Sequence, residues 1–480
     1  MADEMMQTEK GSRNKKFMRD LGIYAIGNLG SKLITFLLVP FYTQFITTPA
    51  EFGYYDICLT IIFCLTPIVS LQLNDGGFRF LLESESRKRQ RGIVTIVYRT
   101  LLTNSMILAA VSLVVGFTFD IRYLSYIVIY GIIQSVYETV IQLVRGLGHT
   151  KTFVGAAVFN SFLIAGFSVI FVAVLPWGVP GIFIANICAK LVTMVWLEFK
   201  VKLIREYFKP SQVERGLLRQ LLRYSLPLLP GTLCWWLLGA NNRFFIEHYL
   251  GLSDNGLYAV AMKFAGTMNI LVMIFYQTWQ QNAIEQYKSQ DRDTFYSKIF
   301  NTFILLFSAV IIIFSFGLRL NYSWLVGPEY QTSSRYVYLI ALSIVIYGIT
   351  MLYDLGYQCS KNTHRSLPSV FIGTSVNILC NFILIQHLGI YGIVWSSIIT
   401  YTVMMIYRAI DTRKYFKITF TVQTLWSTIT IIVCGLLYTY TDSATVDAAA
   451  IIICAVIYSQ LLPGSIRDRI LRKLHLGATS

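Results

Sequence analysis

Residues 41–56 read FYTQFITTPAEFGYYD, and residues 244–259 read FFIEHYLGLSDNGLYA. At a constant offset of 203, Glu51 matches Asp254, Gly53 matches Gly256 and Tyr55 matches Tyr258. Each copy reads as the end of a long apolar helix, a short turn carrying an acid and a glycine, and the start of another helix. A second echo pairs Trp177-Gly178-Val179-Pro180-Gly181-Ile182 with Leu388-Gly389-Ile390-Tyr391-Gly392-Ile393, at an offset of 211. A duplicated unit is therefore expected.

The surroundings of these repeats place them in a membrane. The 480 residues are 55% hydrophobic and 14% charged, with a mean hydropathy of +0.58, whereas soluble domains carry about 25% charged residues. The apolar residues come in blocks of about twenty, the number that crosses about 30 Å of hydrocarbon at 1.5 Å per residue. Apolar runs predict fourteen spans, near 21–46, 56–79, 93–117, 123–145, 152–175, 180–199, 222–247, 258–280, 299–318, 335–358, 367–386, 389–407, 418–439 and 444–463. Six spans separate the two copies. An even number makes the halves parallel repeats, related by an axis along the membrane normal.

The expected fold is an all-α polytopic membrane protein. Its predicted parts are a cytoplasmic tail (1–20), a first six-helix lobe (21–199), a basic cytoplasmic linker (200–221), a second lobe (222–410), two further helices (411–463) and a cytoplasmic C-terminal tail (464–480). Two such lobes around a central cavity form the architecture of an alternating-access transporter. The first apolar run is too long for a signal peptide and lacks a small-x-small cleavage site, so it is expected to stay as the first span.

The net charge of +15 raises nucleic acid as a partner, and its placement answers the question. With the N-terminus inside, cytoplasmic segments hold 31 of the 40 Lys and Arg, and outside loops hold only Arg122, Arg319 and Arg335. That bias is the positive-inside rule. The charge reads as topology and contact with anionic lipid, not as a nucleic-acid footprint. The eight cysteines show no CxxC spacing and read as packing residues. No Walker motif, nucleophile elbow or HExxH is present, and short outside loops leave no room for an extramembrane catalytic domain. No enzyme activity, metal or cofactor is expected.

Six cations remain inside spans: Lys32, Arg79, Arg99, Lys190, Arg243 and Lys263. Each costs about 2.5–3.5 kcal/mol at a helix centre, so each needs water, an acid or a route to the interface. Lys32 shares a helix face with Asn28 and Thr35, Arg99 with Thr95 and Thr103, Lys190 with Asn186 and Thr193, and Lys263 with Thr267. Such polar stripes are expected to line a substrate path. Arg79 and Arg243 have acids one turn away, Asp75 and Glu247, which gives both a structural alternative. The face Gln134, Glu138, Gln142, Arg145 and the face Thr350, Asp354, Gln358, Lys361 carry acids. Glu138 and Asp354 are candidates for proton or sodium coupling, or for salt bridges. The last two spans read as free of interior charge, flanking the cleft or lining a groove for a lipid tail. Trp235-Trp236 is a packing pair or a platform for sugar rings.

Short motifs in order along the chain carry a family resemblance. They are Asn28-Leu29-Gly30-Ser31-Lys32, Pro49-Ala50-Glu51-Phe52-Gly53-Tyr54-Tyr55 and Gly77-Phe78-Arg79-Phe80. They continue with Ser225-Leu226-Pro227-Leu228-Leu229-Pro230, Asn242-Arg243, Gly256-Leu257-Tyr258, Asn377, Asn381 and Gly389-Ile390-Tyr391-Gly392. In these the chain resembles the polysaccharide-biosynthesis (Wzx-type) flippases of the multidrug/oligosaccharidyl-lipid/polysaccharide exporter superfamily. Many relatives have Asp where this chain has Asn242.

The resemblance implies a bacterial inner-membrane protein exporting undecaprenyl-diphosphate-linked oligosaccharide for O-antigen, capsule or a similar glycan. Its implied partners are that lipid-linked substrate, membrane lipids and glycan polymerase or assembly proteins. The cations would hold the diphosphate and acidic sugars. A cation-coupled multidrug antiporter, a peptidoglycan lipid-precursor flippase and a membrane-embedded glycosyltransferase or polymerase are the alternatives.

Overall fold

The computed structural model describes residues 34, 36–210, 216–360 and 362–461. Every regular element among them is helical. Among the described residues eleven helices are long and apolar enough to cross a membrane, and two further apolar stretches, α1 (Phe36–Phe45) and Ala444–Ala455, are shorter. The predicted count of fourteen spans is not reached by that measure; Lys32 and most of the first predicted span lie outside the described residues.

The chain forms two compact units, residues 1–240 and 241–480. In the first unit, α2 (Pro49–Ser70) and α3 (Leu73–Leu82) are two pieces of one predicted span. The interruption falls at Leu71 and Gln72, whose φ angles of 49° and 57° are left-handed, four residues after Pro67 removes an amide donor from the helix. Broken backbone in hydrocarbon needs internal partners, and the Asn104 side chain supplies one by donating to the Val69 carbonyl at 2.8 Å. Next come α4 (Arg87–Thr118), α5 (Leu124–Gly146), α6 (Thr150–Ser168, continuing as a π-helix over Val169–Val174) and α7 (Gly178–Val201). The centre of this unit is α5, which packs on α2, α3 and α7, while α6 packs on α7.

Beyond α7 the chain stays pinned to the first unit. Lys209 N–H donates to Thr95 Oγ1 at 2.8 Å, and Arg87 pairs with Glu206 at 2.6 Å. Leu203 joins the apolar core of this unit, as do Leu217 and Leu221 of the short α8 (Leu217–Ser225). The unit boundary falls inside α9 (Leu228–Tyr249).

The second unit continues with α10 (Leu252–Gln286), α11 (Arg292–Leu320), the single turn α12 (Tyr322–Leu325), α13 (Ser334–Cys359), α14 (Leu367–Leu388) and α15 (Ile390–Asp411). It closes with α16 (Val422–Tyr440) and α17 (Ala444–Leu461). Here α13 packs on α10 and α15, α14 packs on α15, and α11 carries both α16 and α17.

Both sequence echoes are structural. Pro49 opens α2 and Leu252 opens α10, again 203 apart. In the second echo Gly178 and Gly389 take φ angles of 60° and 58°, a region open to glycine at little cost. Three residues on, Gly181 and Gly392 both sit against the preceding helix. A Cβ at Gly181 would stand 2.6 Å from the Phe171 carbonyl oxygen, and one at Gly392 closer still to that of Leu384.

Candidate functional site

In the first unit, α5 and α7 bring the two polar faces together. Lys190 is 5% exposed, with its Nζ 5.2 Å from the Tyr130 ring centroid and 5.3 Å from that of Tyr137. A desolvated ammonium gains from such ring faces. No carboxylate lies within ion-pair distance of it among the described residues. Glu138, next to Tyr137, is the acid whose field acts on Lys190, and it accepts from Gln134 Nε2 at 2.9 Å. The stripe around Lys190 is buried too: Asn186 accepts from the Tyr130 hydroxyl at 3.2 Å, and Thr193 donates to the Ala189 carbonyl at 2.7 Å.

Arg79 differs from the expectation. Its partner is Glu83 at 3.2 Å, not Asp75, and its guanidinium lies over the Tyr224 ring at 5.3 Å. Both charges of the pair are exposed, so it contributes little to stability. Arg145 lies over Phe78 and Phe153, at 4.6 and 5.5 Å. Arg99 lies twelve residues, about 18 Å, past the start of α4. It is exposed and forms no ion pair among the described residues. Thr95, expected on the same polar face, is instead buried and occupied by the chain after α7. The Trp236 indole donates to the Thr60 carbonyl at 2.8 Å and is half-buried, while Trp235 is exposed.

In the second unit Arg243 and Lys263 are both half-buried, and Glu247, the acid one turn beyond Arg243, is exposed. Beside Arg243 a neutral amide cluster fills the contact between α9, α14 and α15. Asn241 donates to Asn377 Oδ1 at 2.9 Å, and Asn381 donates to Asn242 Oδ1 at 2.9 Å. Asn242 donates onward to the Tyr258 hydroxyl at 3.2 Å and to Ser397 Oγ at 3.0 Å. All four asparagines are buried. An aspartate at 242 could accept from Asn381 but could give nothing to Tyr258 or Ser397.

Asp354 has a buried cation beside it. Arg408, read from sequence as the first residue of a cytoplasmic loop, is 2% exposed inside the end of α15. Its Nη1 stands 3.1 Å from Asp354 Oδ1 and donates to the Thr350 carbonyl at 3.1 Å. Its Nε donates to Ser369 at 2.8 Å and its Nη2 to Ser366 at 3.2 Å. Gln358 donates to Asp354 Oδ2 at 3.1 Å and to the Tyr276 hydroxyl at 3.0 Å, carrying the network to α10. Lys361, on the same predicted face, lies outside the described residues.

A second buried pair corrects the reading that the last two spans lack interior charge. Asp447 in α17 is 3% exposed and paired with Arg319 of α11, which had read as an outside-loop residue. Arg319 Nε donates to Asp447 Oδ2 at 2.8 Å, and Nη1 donates to the Tyr438 and Thr441 carbonyls at 2.6 and 2.9 Å.

Comparison with known proteins adds three findings. The model of the family described as polysaccharide biosynthesis protein matches residues 17–280. The Haemophilus influenzae protein described as Lsg locus putative protein 1 is 22% identical over 398 residues, covering 79% of this chain and 95% of that protein. Among solved structures, the lipid II flippase MurJ in an inward closed conformation superposes with a TM-score of 0.68 at 15% identity, over 93% of this chain and 99% of that one. An inward-facing MATE family multidrug resistance transporter of the MOP superfamily gives 0.62 at 14% identity, over 82% and 98%. At these identities the structures establish a shared fold.

Proposed function

The chain belongs to the polysaccharide biosynthesis protein family, and from that premise we propose that it is a flippase moving a lipid-linked anionic oligosaccharide across the bacterial cytoplasmic membrane. The substrate class is an undecaprenyl-diphosphate-linked glycan repeat of O-antigen, capsule or a similar polymer. Transport runs by access alternating between the two membrane faces, without covalent chemistry on the substrate.

The observation that carries this reading is Arg99, a guanidinium six residues, about 9 Å, inside the apolar run that begins near residue 93, exposed and without an ion-pair partner among the described residues. A diphosphate entering hydrocarbon needs cations, and charge-assisted hydrogen bonds to phosphate strengthen as the dielectric falls. Each unit supplies its own proposed headgroup cations, Lys32 and Arg99 in the first and Arg243 and Lys263 in the second. Arg79, which shares its charge with Glu83, binds more weakly. Lys190, enclosed by Tyr130 and Tyr137, acts together with Glu138 as the site where headgroup binding is coupled to a proton or sodium ion. A drug antiporter, by contrast, needs acids facing its cationic cargo.

The test is export in cells whose chromosomal copy is replaced by Arg99→Ala, Arg243→Ala or Lys263→Ala. Surface glycan should fall while lipid-linked repeats accumulate and membrane protein levels hold. Normal surface glycan in all three strains refutes the headgroup role.

A further inference from the structure

With Arg79 turned to Glu83, Asp75 is left as a carboxylate without a counterion. It is exposed, and its side chain forms no hydrogen bond or ion pair among the described residues. It stands in the first turn of α3, just past the left-handed pair Leu71 and Gln72.

The glycines fix how α3 lies on α5. A Cβ at Gly77 would come 3.1 Å from the Leu143 side chain, and one at Gly146 would come 3.0 Å from Leu81 and 3.1 Å from the Phe78 carbonyl oxygen. That register sets Asp75 beside the α5 face that carries Gln134, Glu138, Gln142 and Arg145, residues three and four apart on one side of the helix. The fields agree with this placement. Arg145 acts on Asp75, while Lys190 from α7 and Asp75 from α3 are the charges that act on Glu138. On α5 itself the phenols of Tyr130 and Tyr137 lie in the field of Glu138.

Gln142 stands one turn from Glu138 in this row, toward Arg145. Its Oε1 is buried and accepts no hydrogen bond among the described residues. An orphaned buried acceptor calls for a donor, and on this face the donor is a protonated carboxyl or the water that relays its proton. The row ends at Gln134, which donates to Glu138.

We propose that Asp75 and Gln142 form the proton path into Glu138, entered from the end of α5 that the predicted orientation turns to the cytoplasm. The proposal rests on the reading of Glu138 with Lys190 as the coupling site, and it names the ion and its route. Hydronium in the cytoplasmic water gives a proton to the Asp75 carboxylate. The Asp75 carboxyl passes it to a water on Gln142 Oε1, that water passes a proton to the Glu138 carboxylate, and Asp75 is ionised again. A sodium ion would need a shell of oxygens beside two cations, Arg145 and Lys190, whereas a proton becomes part of the carboxyl group.

The test uses the full-length protein in liposomes that hold the pH dye pyranine and a spectrally separate fluorescent undecaprenyl-diphosphate oligosaccharide, so that proton flux and lipid flipping are read together. Asp75→Asn keeps the shape of the side chain and removes its proton. Substrate-dependent proton flux should fall about a hundredfold, the low end of what a positioned proton-transfer group supplies. Asp75→Glu should retain most of the flux, and Gln142→Leu should slow it as Asp75→Asn does. Azide, a small weak acid that carries protons past a missing carboxyl, should restore flux in Asp75→Asn but not in Glu138→Gln; a merely structural loss would not respond to it. Wild-type flux in Asp75→Asn or Gln142→Leu would overturn the proposal, as would a loss in Asp75→Asn that azide leaves untouched, or lipid flipping by wild type with no proton flux at all. Proton flux without lipid flipping sinks the flippase reading alone, and flipping with equal flux in wild type and Asp75→Asn sinks the relay alone.

Discussion

Arg408 Nη1 lies 3.1 Å from Asp354 Oδ1, joining the end of α15 to α13 inside the second unit. Arg408 also reaches Ser366 and Ser369, so one guanidinium ties α13, α14 and α15 together. Breaking such a buried pair from one side leaves an uncompensated charge, whereas removing both charges together is often neutral. Arg408→Met alone is expected to cost about 3–5 kcal/mol, and Asp354→Leu/Arg408→Met should regain most of it, read by thermal unfolding in detergent. Recovered export in the double variant would assign Asp354 a structural role and leave Glu138 as the coupling acid. A stable but inactive double variant would make Asp354 itself the coupling group.

The Arg319–Asp447 pair makes a parallel prediction for the last two helices. Arg319→Ala leaves Asp447 buried without its cation and removes the donor to the Tyr438 and Thr441 carbonyls. Loosening of α17 should follow. Cys454, 2% exposed and with its sulfur 3.7 Å from that of Cys434, reports on it: maleimide should label the variant much faster than wild type. Unchanged labelling would show that α17 is held by its apolar face alone.

The paired glycines offer a test of the duplication. Gly181→Ala and Gly392→Ala each drive a methyl into a backbone carbonyl that cannot step aside, and both should lose folded protein, by about 1–3 kcal/mol for overpacking. Gly166→Ala in α6 meets nothing within 4 Å and should be neutral or gain up to about 1 kcal/mol. Thermal stability of the three variants settles it, and equal effects would remove the packing argument.

Asn242→Asp removes the amide that donates to the Tyr258 and Ser397 hydroxyls and buries a carboxylate that those hydroxyls could satisfy only by reversing, while Ser397 already gives its proton to the Ile393 carbonyl. Each bond is worth about 0.5–1.5 kcal/mol net, and the charge adds its own desolvation. The variant should therefore unfold at a lower temperature than Asn242→Ala at neutral pH. The opposite order would show that Arg243 or a bound cation compensates the acid.

Much of this architecture was legible in the sequence because periodic hydrophobicity and a constant offset are local or repetitive signals. The turn before Pro49 and the turn before Leu252 both start helices, and Gly178 and Gly389 repeat the same backbone angle. Partners distant along the chain were not legible. Asp354 and Arg408, or Arg319 and Asp447, meet only because separate helices pack, and no i±4 rule points across that gap. Arg408 and Arg319 both sit at the ends of apolar runs, where a hydropathy boundary one residue short turns a buried cation into a loop residue. Arg79 was misassigned for a local reason: with acids available one turn to either side, spacing alone does not choose, and the guanidinium bonds to Glu83 while lying over Tyr224. The break at Leu71 and Gln72 has a visible trigger in Pro67, but its capping by Asn104 comes from another helix.

The most direct measurement is flipping by the purified full-length protein in liposomes that hold a fluorescent undecaprenyl-diphosphate oligosaccharide, followed by loss of signal to an impermeant quencher. Wild type should expose the inner-leaflet lipid, Arg99→Lys should retain most of the rate, and Arg99→Ala should lose about tenfold or more, the worth of one charge-assisted phosphate contact. Wild-type liposomes that quench no faster than protein-free ones, or Arg99→Ala indistinguishable from wild type, would contradict the account.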